Sequence, residues 1–205
     1  MTPPRPRSAR GDGPALRHEI LDATEDLLIE TGSEDAVSIR AVAGRVGVTP
    51  PAIYRHFPDK QSLLFEVCSL QFTRLGEHLD AVMAMEADAT ARLEACGRAY
   101  VDFGLAHPEA YRIMFMGRSD GTPDAHRDDV LAAAGPFMAL VDVVTDVAGE
   151  LGSEREPLAI ATVLWTAMHG ITSLLISKPN FPWPPVDELV AEVCATHLRG
   201  TFGQE

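Results

Sequence analysis

The chain has 205 residues and 46% of them are apolar, which excludes a chain disordered throughout and fits a small domain fused to a larger one. Its longest apolar stretches are interrupted by polar or charged residues before they reach membrane-spanning length, and no apolar run follows the first arginines. We therefore expect no membrane contact, no signal peptide and a cytoplasmic location. The formal net charge of −13 argues at first against a nucleic-acid partner.

The distribution of that charge changes the interpretation. Residues 1–60 carry 8 basic and 9 acidic side chains, whereas residues 61–205 carry 9 and 21, so nearly all the excess acid lies in the later part. Residues 36–60 hold four basic side chains and one acid. Because phosphate binding depends on the local field, a small basic surface on an acidic body can still bind DNA.

The first residues and the first helix have distinct patterns. Residues 1–13 are rich in proline, arginine and glycine and predict a flexible basic arm with Arg5, Arg7 and Arg10. A helical pattern follows, in which apolar residues recur at steps of three and four. We expect this helix to end at Gly32, because glycine is favoured directly after a helix. Strand-like alternation is nearly absent, so the predicted class is all-α.

Residues 38–57 have the pattern of two short amphipathic helices separated by a glycine. Ser38 is a favourable N-cap for the first, and Gly47 is expected to end it. Thr49 is expected to cap the second, with Pro50 and Pro51 in its first turn, where no amide donor is needed. The apolar residues predicted to hold the two helices together are Ile39, Val42, Ala43, Val46, Val48, Ile53 and Phe57.

Two short helices joined by a tight glycine-containing turn form the helix-turn-helix unit, whose second helix enters the major groove of DNA. Short amphipathic helices also occur as plain core elements, so spacing alone leaves both interpretations open. The residues predicted for the DNA side or its flanks are Ser38, Arg40, Arg45, Thr49, Pro50, Ala52, Tyr54, Arg55, His56 and Lys60.

The side chains of this segment are more specific than their spacing. The run from Ser38 to Leu64 resembles the DNA-binding signature of TetR-type transcriptional regulators. The matching positions are Val42-Ala43, Gly47-Val48-Thr49, Ile53-Tyr54, His56-Phe57, Lys60 and Leu63. The resemblance implies that Tyr54 and His56 contact DNA. One position departs from the family, which often has glycine where this chain has Pro51, and the missing amide puts a backbone contact with phosphate there in doubt.

Each candidate contact has a physical role and an alternative as a solvated surface residue. Tyr54 offers a ring and a hydroxyl that can reach a phosphate or a thymine methyl group. Thr49 can cap its helix and touch a phosphate. Lys60 lies at a helix start, where an ammonium and backbone amides form an anion site. Arg40 and Arg45 could bind neighbouring phosphates, and the arginines of the arm could enter the minor groove.

The rest of the chain is predicted to be helical, giving about nine helices and no sheet. Further helices are expected at roughly 60–86, 90–106, a short stretch after Pro108, 125–151, 156–177 and 187–200. The predicted domains are the arm at 1–13, a three-helix DNA-binding domain at 14–62 and an effector-binding and dimerisation domain at 63–205.

The family resemblance implies a homodimer formed through the last two helices. The helix at 156–177 is apolar and rich in small residues, which permit close helix approach. A two-fold dimer would place its recognition helices about one DNA turn apart, ~34–36 Å, on a palindromic operator. The implied mechanism is repression that ends when a small effector shifts the dimer to a spacing that no longer fits DNA.

Aromatic side chains suggest where that effector would bind. Residues 165–171 resemble the Trp…His-Gly signature of one subgroup of these C-terminal domains, and residues 107–115 are also typical of it. The predicted lining of an apolar effector pocket is Tyr100, Phe103, Tyr111, Phe115, Phe137, Trp165 and His169. The same residues can simply form a core, with His169 as a hydrogen-bonded imidazole beside Trp165.

Other classes of protein find less support in the sequence. Three separated cysteines predict reduced thiols, with a redox switch as an alternative. The histidines show no metal-ligand spacing, and we expect neither metal nor cofactor. An all-α enzyme would need clustered acids or a nucleophile beside a base, and none has motif spacing. A dimeric module without DNA binding is the remaining alternative.

Overall fold

The computed structural model describes residues 13–115 and 134–202, with side chains up to residue 197 in the last helix. The described residues form helices and no strand. The helices are α1 (Gly13–Thr31), α2 (Ile39–Val46), α3 (Pro50–Tyr54), α4 (Lys60–Met83), α5 (Ala89–Ala106), α6 (Pro108–Phe115), α7 (Gly135–Glu150), α8 (Pro157–Ser177) and α9 (Val186–Phe202). The all-α prediction is confirmed, and the described ranges contain nine helices, in agreement with the predicted number. The arginines of the arm and the first part of the helix predicted at 125–151 lie outside the described residues.

The chain divides into two compact units. The first comprises Met1–Leu70 with Arg112–Arg118, and the second comprises Gln71–Tyr111 with Ser119–Glu205. The division falls inside α4, somewhat later than the boundary predicted between residues 62 and 63, because α4 is one continuous helix that supplies residues to both units.

The first unit is built around the apolar faces of α1, α2, α3 and the beginning of α4. Its buried core consists of Ile20, Leu21, Ala23, Leu28, Val37, Val42, Ala43, Ile53, Phe57, Leu63 and Val67. Ile113 on α6 also packs against this core. The predicted packing residues Val42, Ala43, Ile53 and Phe57 therefore hold the two short helices α2 and α3 in this core.

The second unit has α5 at its centre, packed against α7, α8 and α9. Glycines on α5 permit the contact with α8. A Cβ atom on Gly104 would overlap Thr172 Cγ2, and one on Gly97 would lie 2.9 Å from Met168 Cε. Gly97 and Gly104 are seven residues apart and so lie on one face of α5, which brings α8 close along that whole face.

α8 is long and apolar enough, by length and composition alone, to cross a membrane. One such helix is weak evidence, because core helices of other proteins meet the same criterion. One face of α8 is buried against the unit, where Ile160, Ala161, Leu164, Met168 and Thr172 lie. Other apolar residues of α8, among them Val163 and Leu174, stay exposed in the single chain.

Candidate functional sites

The helix-turn-helix geometry rests on two local signals. Ser38 has extended backbone angles and its hydroxyl accepts a hydrogen bond from the amide of Ala41 at 3.1 Å, so it caps α2 as predicted. Gly47 ends α2 with a φ of 81°, in the left-handed region that glycine adopts without strain. Its amide and that of Val48 both donate to the carbonyl of Ala43 at 2.9 Å. The turn is therefore closed before α3 begins.

The outer face of this unit carries most of the residues predicted to meet DNA. Arg40, Thr49, Tyr54 and Arg55 are exposed, and Tyr54 is 52% exposed. The half-buried members of the predicted set are Pro50, His56 and Lys60. Tyr54 is the last residue of α3 and Arg55 is its C-cap, so both of these exposed side chains lie at the end of the helix.

Ala52 was predicted for the DNA side, and the structure buries it instead, at 7% exposure. α3 has only five residues, Pro50–Tyr54, so its inner face comprises two adjacent residues, Ala52 and Ile53. The methyl group of Ala52 packs inward and is not available to a DNA base.

Thr49 occupies the N-cap position of α3, yet its hydroxyl makes no capping bond. An N-cap side chain normally accepts from the second or third amide of its helix. The second residue of α3 is Pro51, which has no amide hydrogen. The amide of the third residue, Ala52, donates to the backbone carbonyl of Thr49 at 2.8 Å. The prolines thus leave the exposed hydroxyl of Thr49 available for an outside acceptor such as phosphate.

Arg45 is engaged inside the first unit. Its guanidinium donates to Glu30 Oε1 at 2.8 Å and to Oε2 at 2.5 Å, and lies 3.7 Å from an oxygen of Asp26. The hydrogen bonds to Arg45 lower the pKa of Glu30, and in return raise the pKa of Arg45. This bidentate ion pair joins α2 to α1 and neutralises acidic side chains that would otherwise repel phosphate.

Lys60 has a partner at the opposite end of the motif. Its ammonium donates to the backbone carbonyl of Glu34 at 2.5 Å, which ties the start of α4 to the loop before α2. Asp59 caps the same helix by accepting from the amide of Ser62 at 2.7 Å. An ammonium carries three donors, so Lys60 can hold the loop and still offer hydrogens to an anion.

Arg40 and Arg45 are expected to differ in DNA binding. Replacing Arg40 with alanine is expected to reduce the slope of log K against log salt by about one unit, the effect of losing one phosphate contact. Arg45→Ala is expected to change that slope much less, because Glu30 already neutralises its charge. Anisotropy titrations of both variants over a series of salt concentrations measure the difference, and equal losses would contradict it.

In the second unit, the structure brings together five of the residues predicted to line an effector pocket. The hydroxyl of Tyr111 lies 2.5 Å from His169 Nδ1, and that of Tyr100 lies 3.2 Å from the same nitrogen and 3.2 Å from the Tyr111 hydroxyl. The ring of Trp165 lies 5.9 Å from that of His169 and 5.7 Å from that of Phe137. We call these five residues the aromatic cluster.

The direction of hydrogen bonding through the aromatic cluster follows from its donors. The indole of Trp165 can only donate, and it hydrogen-bonds to the oxygen of Tyr100. If Tyr100 then donates to Tyr111 and Tyr111 donates to His169 Nδ1, all three protons have acceptors within the cluster. This assignment places the proton of the neutral imidazole on Nε2.

Every titratable group of the aromatic cluster is uncharged near neutral pH. Burial raises the pKa of Tyr111 to about 12 and also raises that of Tyr100. Burial lowers the pKa of His169 below its usual value, which keeps the ring neutral. The cluster therefore offers hydrogen bonds without charge.

For the two other residues predicted to line the pocket, that role stays a prediction. The ring of Phe103 is 6.1 Å from that of His78 and 5.1 Å from that of His107. Phe115 belongs to the first unit, because the end of α6 packs there through Ile113. Sequence reasoning assigned Phe115 to the pocket from its chemical type, and its spacing from Tyr111 on α6 gave no sign of the division.

The cysteines are poorly suited to redox chemistry. Burial raises the pKa of Cys68 to about 11 and those of Cys96 and Cys194 to about 12. The reactive thiolate is thereby disfavoured at all three positions. Within the described residues no group of three or more histidine, cysteine or acidic side chains could hold a metal ion.

A three-helix unit with an exposed helix-turn-helix face, joined to a helical unit with its own core, defines the class of helix-turn-helix transcriptional regulators. Comparison with known families makes this specific. The profile described as bacterial regulatory proteins of the tetR family matches residues 20–67, and that described as the tetracyclin repressor-like C-terminal domain matches residues 93–197.

Individual relatives agree with these profiles. The chain is 26% identical over 165 residues to the uncharacterized HTH-type transcriptional regulator YobS of Bacillus subtilis (strain 168), with 79% of each chain covered. A solved structure of a protein with unknown function from Rhodococcus sp. RHA1 superposes with a TM-score of 0.80 at 30% identity, covering 96% of this chain and 100% of that one. FadR from Bacillus subtilis, solved in complex with stearoyl-CoA, has a TM-score of 0.70 at 14% identity over 92% of this chain and 99% of its own, which shows a shared fold alone.

The chain belongs to the TetR family of DNA-binding transcriptional regulators, and the resemblance inferred from residues 38–64 is confirmed. The C-terminal match includes Trp165 and His169.

Proposed function

We propose that this TetR-family regulator is a homodimeric cytoplasmic repressor that binds a palindromic operator and leaves it when a small apolar effector occupies the second unit. The observation that carries the DNA-binding part is the exposed face of the helix-turn-helix, with Tyr54, Thr49 and Arg40 all turned to solvent. In this proposal Tyr54 and Thr49 reach base edges or phosphates, Arg40 and Lys60 bind phosphates, and Arg45 holds α2 against α1.

Dimerisation is supported by an uncovered stripe on α8. Ala159, Val163, Thr166, Gly170 and Leu174 recur at steps of four, three, four and four, so they share one side of the helix. All are exposed in the single chain except Gly170, which is partly buried, and Val163 is 52% exposed. A second copy of α8 would cover this stripe, and the small residues would allow close approach. The apolar composition of α8 then has an explanation that involves no membrane.

Charge placed in that stripe is expected to break the dimer. Val163→Glu would bury a carboxylate against its own symmetry mate, a costly arrangement without a compensating cation. Light scattering coupled to size exclusion is expected to show a monomer for Val163→Glu. Met85→Glu is the matched control, because Met85 is 82% exposed in the connection before α5 and should leave the dimer intact. A dimer in both variants would show that the interface lies elsewhere.

The operator prediction is tested by selecting duplexes from random sequence with the wild-type protein. A dimer with two recognition helices is expected to enrich an inverted repeat whose half-sites lie about one turn apart. Enrichment of a single half-site, or of no sequence, would contradict the dimeric DNA-binding proposal.

The release step rests on the aromatic cluster as part of an effector site. Its rings supply apolar contact and its hydroxyls and imidazole supply directed hydrogen bonds, the combination that small-molecule sites use. Phe137, Trp165 and His169 each keep part of their surface exposed, so the cluster is not sealed by its own packing. An effector bound there would favour one conformation of the dimer over another and thereby change operator affinity.

A further inference from the structure

Gln71 on α4 holds a buried hydrogen-bond donor that no described residue satisfies. The residue is 1% exposed, and its side-chain nitrogen Nε2 has no acceptor in the described part of the chain. The orientation of the amide is assigned by Arg74, whose guanidinium donates to Gln71 Oε1 at 3.2 Å. A buried donor without an acceptor is destabilising and calls for an explanation.

The position of Gln71 places it at one end of the second unit. It shares a face of α4 with His78, two helical turns further along, and the ring of His78 lies beside that of Phe103 on α5. Burial raises the pKa of the Cys96 thiol and the negative charge of Asp80 raises it further, so Asp80 lies near Cys96. Asp80 follows His78 on α4, whereas Cys96 precedes Phe103 on α5, so the two helices run antiparallel. In such an antiparallel pair, Gln71 lies toward the end of α5, from which the chain continues into α6 and Tyr111.

Apart from the exposed guanidinium of Arg74, the hydrogen-bonding groups described at this end of the unit are uncharged. Tyr100, Tyr111 and His169 form a neutral network, since burial shifts the pKa of each toward its uncharged form. Arg74 is exposed and bonds to the oxygen of the Gln71 amide, which polarises the amide and strengthens its N–H as a donor. Such surroundings favour a neutral acceptor over a carboxylate, which would lose its hydration there.

We propose that Gln71 Nε2 donates to an uncharged carbonyl oxygen, of a ketone, ester or amide, on an otherwise apolar effector. The inference rests on the proposed function for the existence of an effector, and it adds the chemical class of that effector and the residue that anchors it. The ligand would supply the acceptor that the buried amide lacks. The unliganded protein would therefore be less stable than the liganded protein or a variant without this donor.

Stability of the unliganded protein gives the first test. Gln71→Leu removes the donor and puts an apolar side chain in its place. The variant is therefore expected to have a melting temperature roughly 2–4 °C higher than that of the wild-type protein. Gln61→Leu is the matched control, because Gln61 is exposed on the same helix and its loss is expected to leave the melting temperature unchanged. A lower melting temperature for Gln71→Leu would overturn the proposal, since it would mean that the amide is satisfied without a ligand.

Binding of matched probes gives the second test. The chain has two tryptophans, so the Trp183→Phe variant reports through Trp165 of the aromatic cluster alone. Methyl octyl ketone, decanoate, decylamine and decane share a chain length and differ in polar group. We expect methyl octyl ketone to bind tightest, and Gln71→Leu to weaken its binding about two- to tenfold, as for one lost neutral hydrogen bond, with no loss for decane.

Three results would overturn the inference: no binding of the ketone, tighter binding of decanoate, or an unchanged ketone affinity in Gln71→Leu. These titrations contain no DNA, so they are independent of the proposed repressor function. If the ketone binds through Gln71 and operator binding is unaffected, the carbonyl site stands and the release mechanism fails.

Discussion

Replacing Tyr54 with alanine is expected to weaken binding to the selected operator about ten- to a hundredfold, the cost of losing a hydrogen bond to a charged group together with ring contact. The ring is 52% exposed on the outer face of the first unit, so little packing energy is lost with it. The melting temperature is therefore expected to stay close to that of the wild-type protein, although the operator affinity falls. Fluorescence anisotropy at fixed salt measures the affinity, and thermal unfolding measures the stability.

Two further variants separate the possible roles of Tyr54. Tyr54→Phe keeps the ring and removes the hydroxyl, so a loss equal to that of alanine would assign the effect to a hydroxyl–phosphate contact. Phe181→Ala is the matched control, because Phe181 is an equally exposed aromatic residue, at 57%, in the second unit. Wild-type affinity for Tyr54→Ala would remove this residue from the DNA surface.

Replacing Gly104 with alanine is expected to destabilise the fold by about 1–3 kcal/mol, the usual range for overpacking a core. The added Cβ would overlap Thr172 Cγ2 and lie 3.0 Å from the ring of Tyr111. Thr172 is fully buried and its β-branched side chain cannot rotate away freely, because its hydroxyl donates to the carbonyl of Met168 at 2.8 Å. Thermal unfolding is expected to show a drop of roughly 3–10 °C.

The same glycine-to-alanine substitution at an uncrowded helical position is expected to increase the stability of the fold. Gly149 lies in α7, and a Cβ added there would meet nothing within 4 Å, so Gly149→Ala is expected to stabilise by about 0.5–1 kcal/mol through the unfolded state and helix propensity. Thr172→Ser removes the methyl group that meets the new Cβ of Gly104→Ala and keeps the hydroxyl. The double variant with Gly104→Ala is expected to recover part of the loss, and strict additivity would contradict the steric explanation.

Features set by nearby residues were predictable from the sequence. Ser38 caps α2, Gly47 ends it with a positive φ, and the prolines occupy the first turn of α3, all from chemistry that acts over a few residues. The long helices α5 and α8 were found at nearly their observed bounds, because their apolar periodicity extends over many turns. The family signature at residues 38–64 then linked those helices to DNA binding.

Features that depend on contacts between helices were not predictable in the same way. The pairing of Arg45 with Glu30 joins residues of different helices, and nothing in the spacing of Arg45 distinguishes it from Arg40. Ala52 lies in a helix too short for periodicity to decide which side faces inward. Gln71 had no distinguishing motif at all, since its unsatisfied donor appears only when burial is known.

At Thr49 the sequence predicted the position of the residue, and the structure added that its hydroxyl makes no capping hydrogen bond. Sequence reasoning identified Thr49 as a cap, and the position is right, yet Pro51 removes the amide that its hydroxyl would have bound. The same substitution that puts a backbone contact with phosphate in doubt thus leaves a side-chain hydroxyl unused by the helix. We therefore expect the proposed DNA surface to rely on the Thr49 side chain at the place where the family resemblance implies a backbone amide.

The dependence of operator binding on salt tests the central claim most directly. If the first unit binds DNA through its exposed basic face, log K measured by anisotropy on the selected duplex is expected to fall linearly with log salt, with a slope of about −0.9 per phosphate contact. Arg40→Ala is expected to make that slope shallower by about one contact. A wild-type affinity for duplex DNA that does not change with salt, or no binding at low salt, would contradict DNA recognition by this face.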